Sequence, residues 1–262
     1  MIKNPCVHSN ILYICVYDYV ITISASAFSF PCIFKFELSR LTHYEPHKEF
    51  LTHLLKGSRK DASRFAKKHL KAHPSVHNLY ENVFRKALYE VGELWERNEI
   101  TVAEEHIATS ITEAVMNELY SQIDIPQPQS LRVVLSTVEN ETHQVGIKMV
   151  ADVFEMNGWD TLLCTANTPV RELIAFTDKI CPDLLGLSAS IYFHMPAITL
   201  TLEHVRSHFP ELPILLGGQA FRHGGRELSH RFTNTTIALN LSELEHYIKA
   251  FAAHRHESRR PH

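Results

Sequence analysis

The sequence has no C-x-x-C pair, and its five cysteines, Cys6, Cys15, Cys32, Cys164 and Cys181, are odd in number. That usage argues against a zinc site or a disulfide framework and points to reduced thiols in a cytoplasmic setting. Neither sign of charge is in large excess: 26 Lys and Arg against 29 Asp and Glu leave a formal charge of -3. No basic block is long enough for a nucleic-acid arm, so direct nucleic-acid binding is not expected. The chain also lacks a Walker loop, an acid pair at a plausible cleft, and a nucleophile-base-acid set, which weighs against an ordinary free-standing enzyme. A clean membrane span is missing too. The apolar run ILYICVYDYVITISASAFSFPCIFKF (11–36) is interrupted by Asp18 and Pro31 and lacks a small-residue cleavage site, so residues 1–44 are read as an unassigned extension with no membrane role. Histidine, by contrast, is abundant at 18, and one His in a suggestive place means little by itself.

What is present divides in two. HKEFLTHLL and RKDASRFAKKHLKAH carry apolar residues at helical spacing, with Gly57-Ser58 as the turn and cap between them. A long amphipathic run follows, SVHNLYENVFRKALYEVGELWERNEI, whose Val83, Leu88, Val91, Leu94 and Trp95 are predicted to share one side. Thr101 and Glu104 form a T-x-x-E capping box that opens the next helix. Four helices with short connections bury their stripes on one another, so 45–125 reads as a four-helix bundle with its end in the proline-bearing IDIPQPQS. Beyond it strands and helices alternate: LRVVLST, 145–157, DTLLC, 169–180, DLLGLS, 196–208, PILLGG, TTIAL and a last helix from Ser242. The alternation predicts a doubly wound, five-stranded parallel sheet over 130–253, with 254–262 as a solvated tail.

Ligands of such sheets bind beyond the carboxyl ends of the strands, where His143, Ser188 and Gly217 all fall. An imidazole there serves packing, base catalysis or metal ligation. A ligating His needs its other ring nitrogen held by a carboxylate or hydroxyl. Glu141, two residues earlier, and Ser188, on a neighbouring strand, are placed for that. Gly146, Gly217 and Gly218 leave room for a bulky group to pass between strand and helix.

This pattern resembles the cobalamin-binding domains of methionine synthases, mutases, corrinoid methyl carriers and light sensors. They share Asp-x-His-x-x-Gly, then Ser-x-Leu, then Gly-Gly at fixed spacing. Here the order is ETHQVG (141–146), 41 residues (147–187), SAS (188–190), 26 residues (191–216) and Gly217-Gly218. The resemblance implies that His143 is the lower cobalt ligand in place of cobalamin's own base, with Glu141 and Ser188 as its relay. Thr142, Gln144 and Val145 complete the loop around it, and Gly146, Gly217 and Gly218 line the nucleotide-tail channel. Glu141 replaces the family's Asp and Ser190 its Leu.

The bundle resembles that of light-sensing adenosylcobalamin-dependent regulators. Trp95 matches the residue that caps the corrin, and Val102, Glu105 and His106 match the lining of the upper pocket. Glu96 stands where many of those sensors have a second cobalt-binding His, which puts a bis-histidine photoproduct in doubt. No DNA-reading domain accompanies the match. The resemblance therefore implies a sensor that signals light or cobalamin status to a protein partner, a transcription regulator or signalling protein, or through homo-oligomer formation. Adenosylcobalamin is the expected form, with methylcobalamin and hydroxocobalamin as other forms. The competing expectation is a corrinoid methyl-carrier subunit of a methyltransferase, and a third is a haem-binding relative. His194, His204 and His208 are expected on the surface, and RHGGRELSH, with His223 and His230, in a loop beyond the tail channel.

Overall fold

The structure is a computed structural model that describes residues 6–8, 11–16, 19–24, 44–127, 130–164 and 167–258. Cys6–His8 (β1), Ile11–Val16 (β2) and Tyr19–Ser24 (β3) form a small antiparallel sheet within the unassigned extension. The other residues of that extension up to residue 43 lie outside the described ones. No helix among the described residues is long and apolar enough to cross a membrane.

The bundle opens with α1 (Pro46–Leu55) and α2 (Arg59–Ala72), separated by Gly57 at φ +64°, a left-handed turn that glycine adopts without Cβ strain. The long third helix is not regular. α3 (Val76–Leu79) passes through a π turn at Tyr80–Phe84 into α4 (Arg85–Glu96). Its apolar residues accordingly divide between two faces. Val83 and Val91 are buried in the bundle core, whereas Leu88 and Trp95 line a cavity against the second domain. Thr101 caps α5 (Val102–Leu119) in the expected box, its hydroxyl accepting from the Glu104 amide while Glu104 accepts from the Thr101 amide at 2.7 Å.

The second domain is the predicted parallel sheet. Its strands are β4 (Arg132–Thr137), β5 (Asp160–Cys164), β6 (Leu184–Ser188), β7 (Ile214–Gly217) and β8 (Thr235–Ile237), in the order β5-β4-β6-β7-β8. Its helices are α6 (Val145–Met156), α7 (Val170–Ile180), α8 (Met195–His208), the short α9 (Leu228–Arg231) and α10 (Leu241–Ser258). α10 continues past residue 253, where the tail was expected to begin.

Strand periodicity sorts the core. Val133 and Leu135 of β4 join α6, α10 and the bundle in one apolar cluster, while Val134 faces the other way toward α7 and α8. The strand order changes direction between β4 and β6, and there Thr137, Ser188 and Gly217 stand side by side in register. The loops that follow these three residues form the carboxyl edge on which ligands of such sheets sit. The bundle closes over that edge. Tyr80 donates to Asp152 on α6 at 2.7 Å, and the Leu241 amide donates to Glu81 at 2.9 Å.

Candidate functional site

A cavity of about 640 Å³ lies between bundle and sheet edge, within the usual range for small-molecule sites. Its floor is the loop from β4 to α6. Asn140, at φ +68°, turns the chain there, and the Thr137 hydroxyl donates to the Glu141 carbonyl at 3.2 Å. The carboxylate of Glu141 is fully buried. Its Oε1 accepts from the backbone N–H of His143 at 2.9 Å and from Nδ1 of the same residue at 2.5 Å.

Burial raises the Glu141 pKa, but hydrogen bonds from His143, Ser190 and His194 outweigh that and hold the carboxyl well below the usual carboxylate range. A deprotonated carboxylate only accepts hydrogen bonds, so His143 must carry its proton on Nδ1. The remaining nitrogen, Nε2, is the one left for a ligand, and it offers a lone pair whenever the ring is neutral. The hydrogen bond to Glu141 raises the His143 pKa, burial lowers it, and the charges of Glu141 and Glu105 raise it again, for a net upward shift. Glu105 is thus felt across the cavity from the bundle side.

The structure brings the other predicted residues to the same space. Val145, Gly146, Ser188, Ser190, Gly217 and Gly218 line the cavity from the sheet, and Trp95, Glu96, Val102, Glu105 and His106 from the bundle. Thr142 and Gln144 are in the loop but not in the wall. Trp95, at 39% exposure, is solvent-accessible on the cavity side rather than buried in the bundle. Glu105 accepts from the Thr109 hydroxyl at 2.8 Å, while His106 stands 3.5 Å from Glu105 and is largely exposed.

Three expectations change. The partner of Glu141 beyond His143 is not the Ser188 hydroxyl. It is the Ser190 amide at 2.8 Å and the ring of His194 at 3.0 Å. His194 is therefore not a surface residue; its side chain is only 18% exposed. His223 likewise lines the cavity instead of sitting beyond it, together with Tyr89, Tyr192 and Gln219, none of which the sequence singled out. Tyr192 and Gln219 follow β6 and β7 at the carboxyl edge, so the strand pattern could have flagged them. Tyr89 depended on the twist of α4 behind its π turn. His204 and His208 are on the exposed side of α8 as expected. Among the described residues Cys164 and Cys181 are free thiols, and no cluster of three metal-binding side chains occurs. A metal held here would need ligands beyond the protein's own.

Two families, each described as a B12 binding domain, match this chain, one over residues 47–120 and the other over 131–234. The HTH-type transcriptional repressor CarH of Myxococcus xanthus is 28% identical over 144 residues, 55% of this chain and 48% of that protein. Methionine synthase of Mycobacterium tuberculosis is 25% identical over 91 residues, 34% of this chain and 8% of the enzyme. The chain thus spans about half or less of the length of these relatives. Among solved structures, the Methanosarcina barkeri monomethylamine corrinoid protein superposes with a TM-score of 0.70 at 14% identity, covering 80% of this chain and 98% of that one. That likeness establishes a shared fold, bundle and sheet together.

Proposed function

Because the chain belongs to the B12-binding family, with one such domain in its bundle and another in its sheet, we propose that it is a cobalamin-dependent sensor whose bundle reads the state of the bound cofactor. The observation that carries this reading is the pairing across one cavity of His143, its Nδ1 fixed by a buried Glu141, with Trp95 and Glu105 on the facing helices. The residues fit the cofactor. His143 offers a single imidazole with a free Nε2, and a Cβ on Gly146 would meet nothing within 4 Å. When bound, adenosylcobalamin supplies cobalt and a carbon–cobalt bond that light can break.

The chain's own residues have separable roles. Glu141 fixes the His143 tautomer and orients the ring. His143 would hold the metal from the sheet side through Nε2. Gly146 leaves the slot beside the strands open to a tail, while Gly217 and Gly218 let the chain after β7 run close to the Ala238 and Ala189 carbonyls. Trp95 and Val102 wall off the opposite face, and Glu105 with His106 gives that face its polar groups. Loss of a group from this space changes what α4 and α5 pack against. Such a change would alter self-association or the surface offered to a protein partner, a transcription regulator or another signalling protein.

The chain reconstituted with adenosylcobalamin in the dark is expected to show a base-off, His-ligated spectrum and to change its size-exclusion elution after green light. A light-indifferent elution combined with reductive methyl turnover would instead favour a corrinoid methyl carrier, a reading supported by the bundle-and-sheet layout shared with the monomethylamine corrinoid protein. His143→Ala is expected to weaken binding at least several-fold. An unchanged spectrum and affinity would remove the ligand assignment.

A further inference from the structure

Glu141 has a second oxygen that His143 does not use. Oε2 accepts from the Ser190 amide at 2.8 Å, from the Ile191 amide at 3.4 Å and from Nδ1 of His194 at 3.0 Å. His194 is the one side chain described on that oxygen. The same argument that fixes the His143 tautomer applies to it: facing an acceptor-only carboxylate, His194 carries its proton on Nδ1.

The placement is rigid. His194 closes the single turn Tyr192–His194 and leads directly into α8, whose Ile198 and Leu202 are fully buried. The His194 ring is therefore carried by an anchored helix, and the Glu141 carboxylate has imidazoles from two different strand-to-helix loops at its two ends.

We propose that His194 is a positioning residue, the far member of a His143–Glu141–His194 bridge that sets the direction and donor strength of the free His143 nitrogen. The inference rests on the cobalamin reading above. Two physical effects combine. A donor on Oε2 stops the carboxylate rotating about its last bond, so Oε1 stays in line with His143. It also draws negative charge away from Oε1, which moderates the pull of Glu141 on the Nδ1 proton of His143. Without His194, two backbone amides remain, one of them long, and they hold the carboxylate less firmly.

The test uses the full chain loaded with cob(II)alamin, with and without 15N-histidine labelling. In the wild type the nitrogen splitting of the cobalt electron-spin resonance signal is expected to change on labelling, because the lower ligand is a protein histidine. His194→Ala is expected to weaken cobalamin binding by about tenfold and to lose part of the label-sensitive splitting even at saturation. His194→Asn, whose amide N–H₂ occupies the place of Nδ1–H, is expected to restore both. Wild-type affinity and splitting in His194→Ala would overturn the proposal. If the alanine variant fails to fold, His194→Asn decides: label-sensitive splitting at wild-type strength supports the bridge, and its loss overturns it. A wild type whose splitting ignores the label would instead overturn the His143 assignment itself, a different result from failure at His194 alone.

Discussion

A Cβ built on Gly218 would sit 2.1 Å from the Ala189 carbonyl oxygen, and the residue's φ of +106° lies where L side chains rarely go. Gly218→Ala is therefore expected to destabilise the chain by more than about 2 kcal/mol, read as a fall in the urea midpoint. Gly146 is the opposite case, with nothing within 4 Å of its Cβ direction. Gly146→Leu introduces a good helix former at the start of α6 and should leave the melting temperature level or higher, while filling the cavity and weakening cobalamin binding. A fall in stability with unchanged binding would contradict this. Both glycines were legible in the sequence as members of one pattern, but the pattern did not say which serves the backbone and which serves the ligand. That distinction depends on where Ala189 runs, a matter of tertiary structure. Asp152 was not legible at all. Burial, with the charge of Glu155 adding to it and the Tyr80 hydrogen bond opposing it, pushes its carboxyl up to about 6. A carboxyl with a raised folded pKa favours folding when protonated. Its contribution is complete below about pH 4 and is lost as pH rises through 6. Asp152→Asn keeps an acceptor for Tyr80 and removes the charge. It should match or exceed wild-type stability at pH 7.5, by about 1 kcal/mol, and lose that advantage at pH 4.5. An equal offset at both pH values would refute the assignment.

The third helix shows what sequence periodicity can and cannot deliver at the level of an element. Its amphipathic pattern correctly gave a long helix after Ser75, but grouped Val83, Val91, Leu88 and Trp95 on one side. The π turn at Tyr80–Phe84 adds a residue to the helical repeat, and α4 then presents two apolar faces, one to the bundle and one to the cavity. No residue type in that turn announces it. The start of α5 was readable because capping is local chemistry. Thr101 and Glu104 satisfy each other's backbone amides, and that box sets where Val102 and Glu105 enter the cavity wall. Thr101→Ala is expected to cost about 1 kcal/mol, measured by chemical unfolding, and to weaken binding only as far as the first turn of α5 frays. Loss of binding without loss of stability would mean that Thr101 touches the ligand itself.

Bundle and sheet share one apolar cluster, running from Phe50 and Leu119 through Ile147 and Phe154 to Leu244 and Ile248. Polar contacts reinforce it: Tyr80 to Asp152, Leu241 to Glu81, Lys148 to Glu113 at 3.0 Å and Tyr120 to Glu155 at 2.7 Å. Neither part can open without exposing the other's apolar face, so the two should unfold together. The chain's two tryptophans allow a direct check, since Trp95 reports on the bundle and Trp159, buried against Phe154, on the sheet domain. Trp159→Phe and Trp95→Phe leave one reporter each, and within each variant fluorescence and circular dichroism should give the same denaturant midpoint. Divergent midpoints would show two independent units. A ligand held in the cavity between the two parts stabilises both at once. At a hundredfold excess over its dissociation constant the gain is about 2.7 kcal/mol, a rise of roughly 5–10 °C for a chain of this size. If His143→Ala binds about tenfold more weakly, about half of that gain disappears at the same cobalamin concentration. The ligand-free melting point falls as well, because the buried Glu141 carboxylate loses its Nδ1–H donor, so the rise is read against each variant's own ligand-free value. Should the variant keep the full rise, the cofactor is held by the walls of the cavity and not by the histidine at its floor.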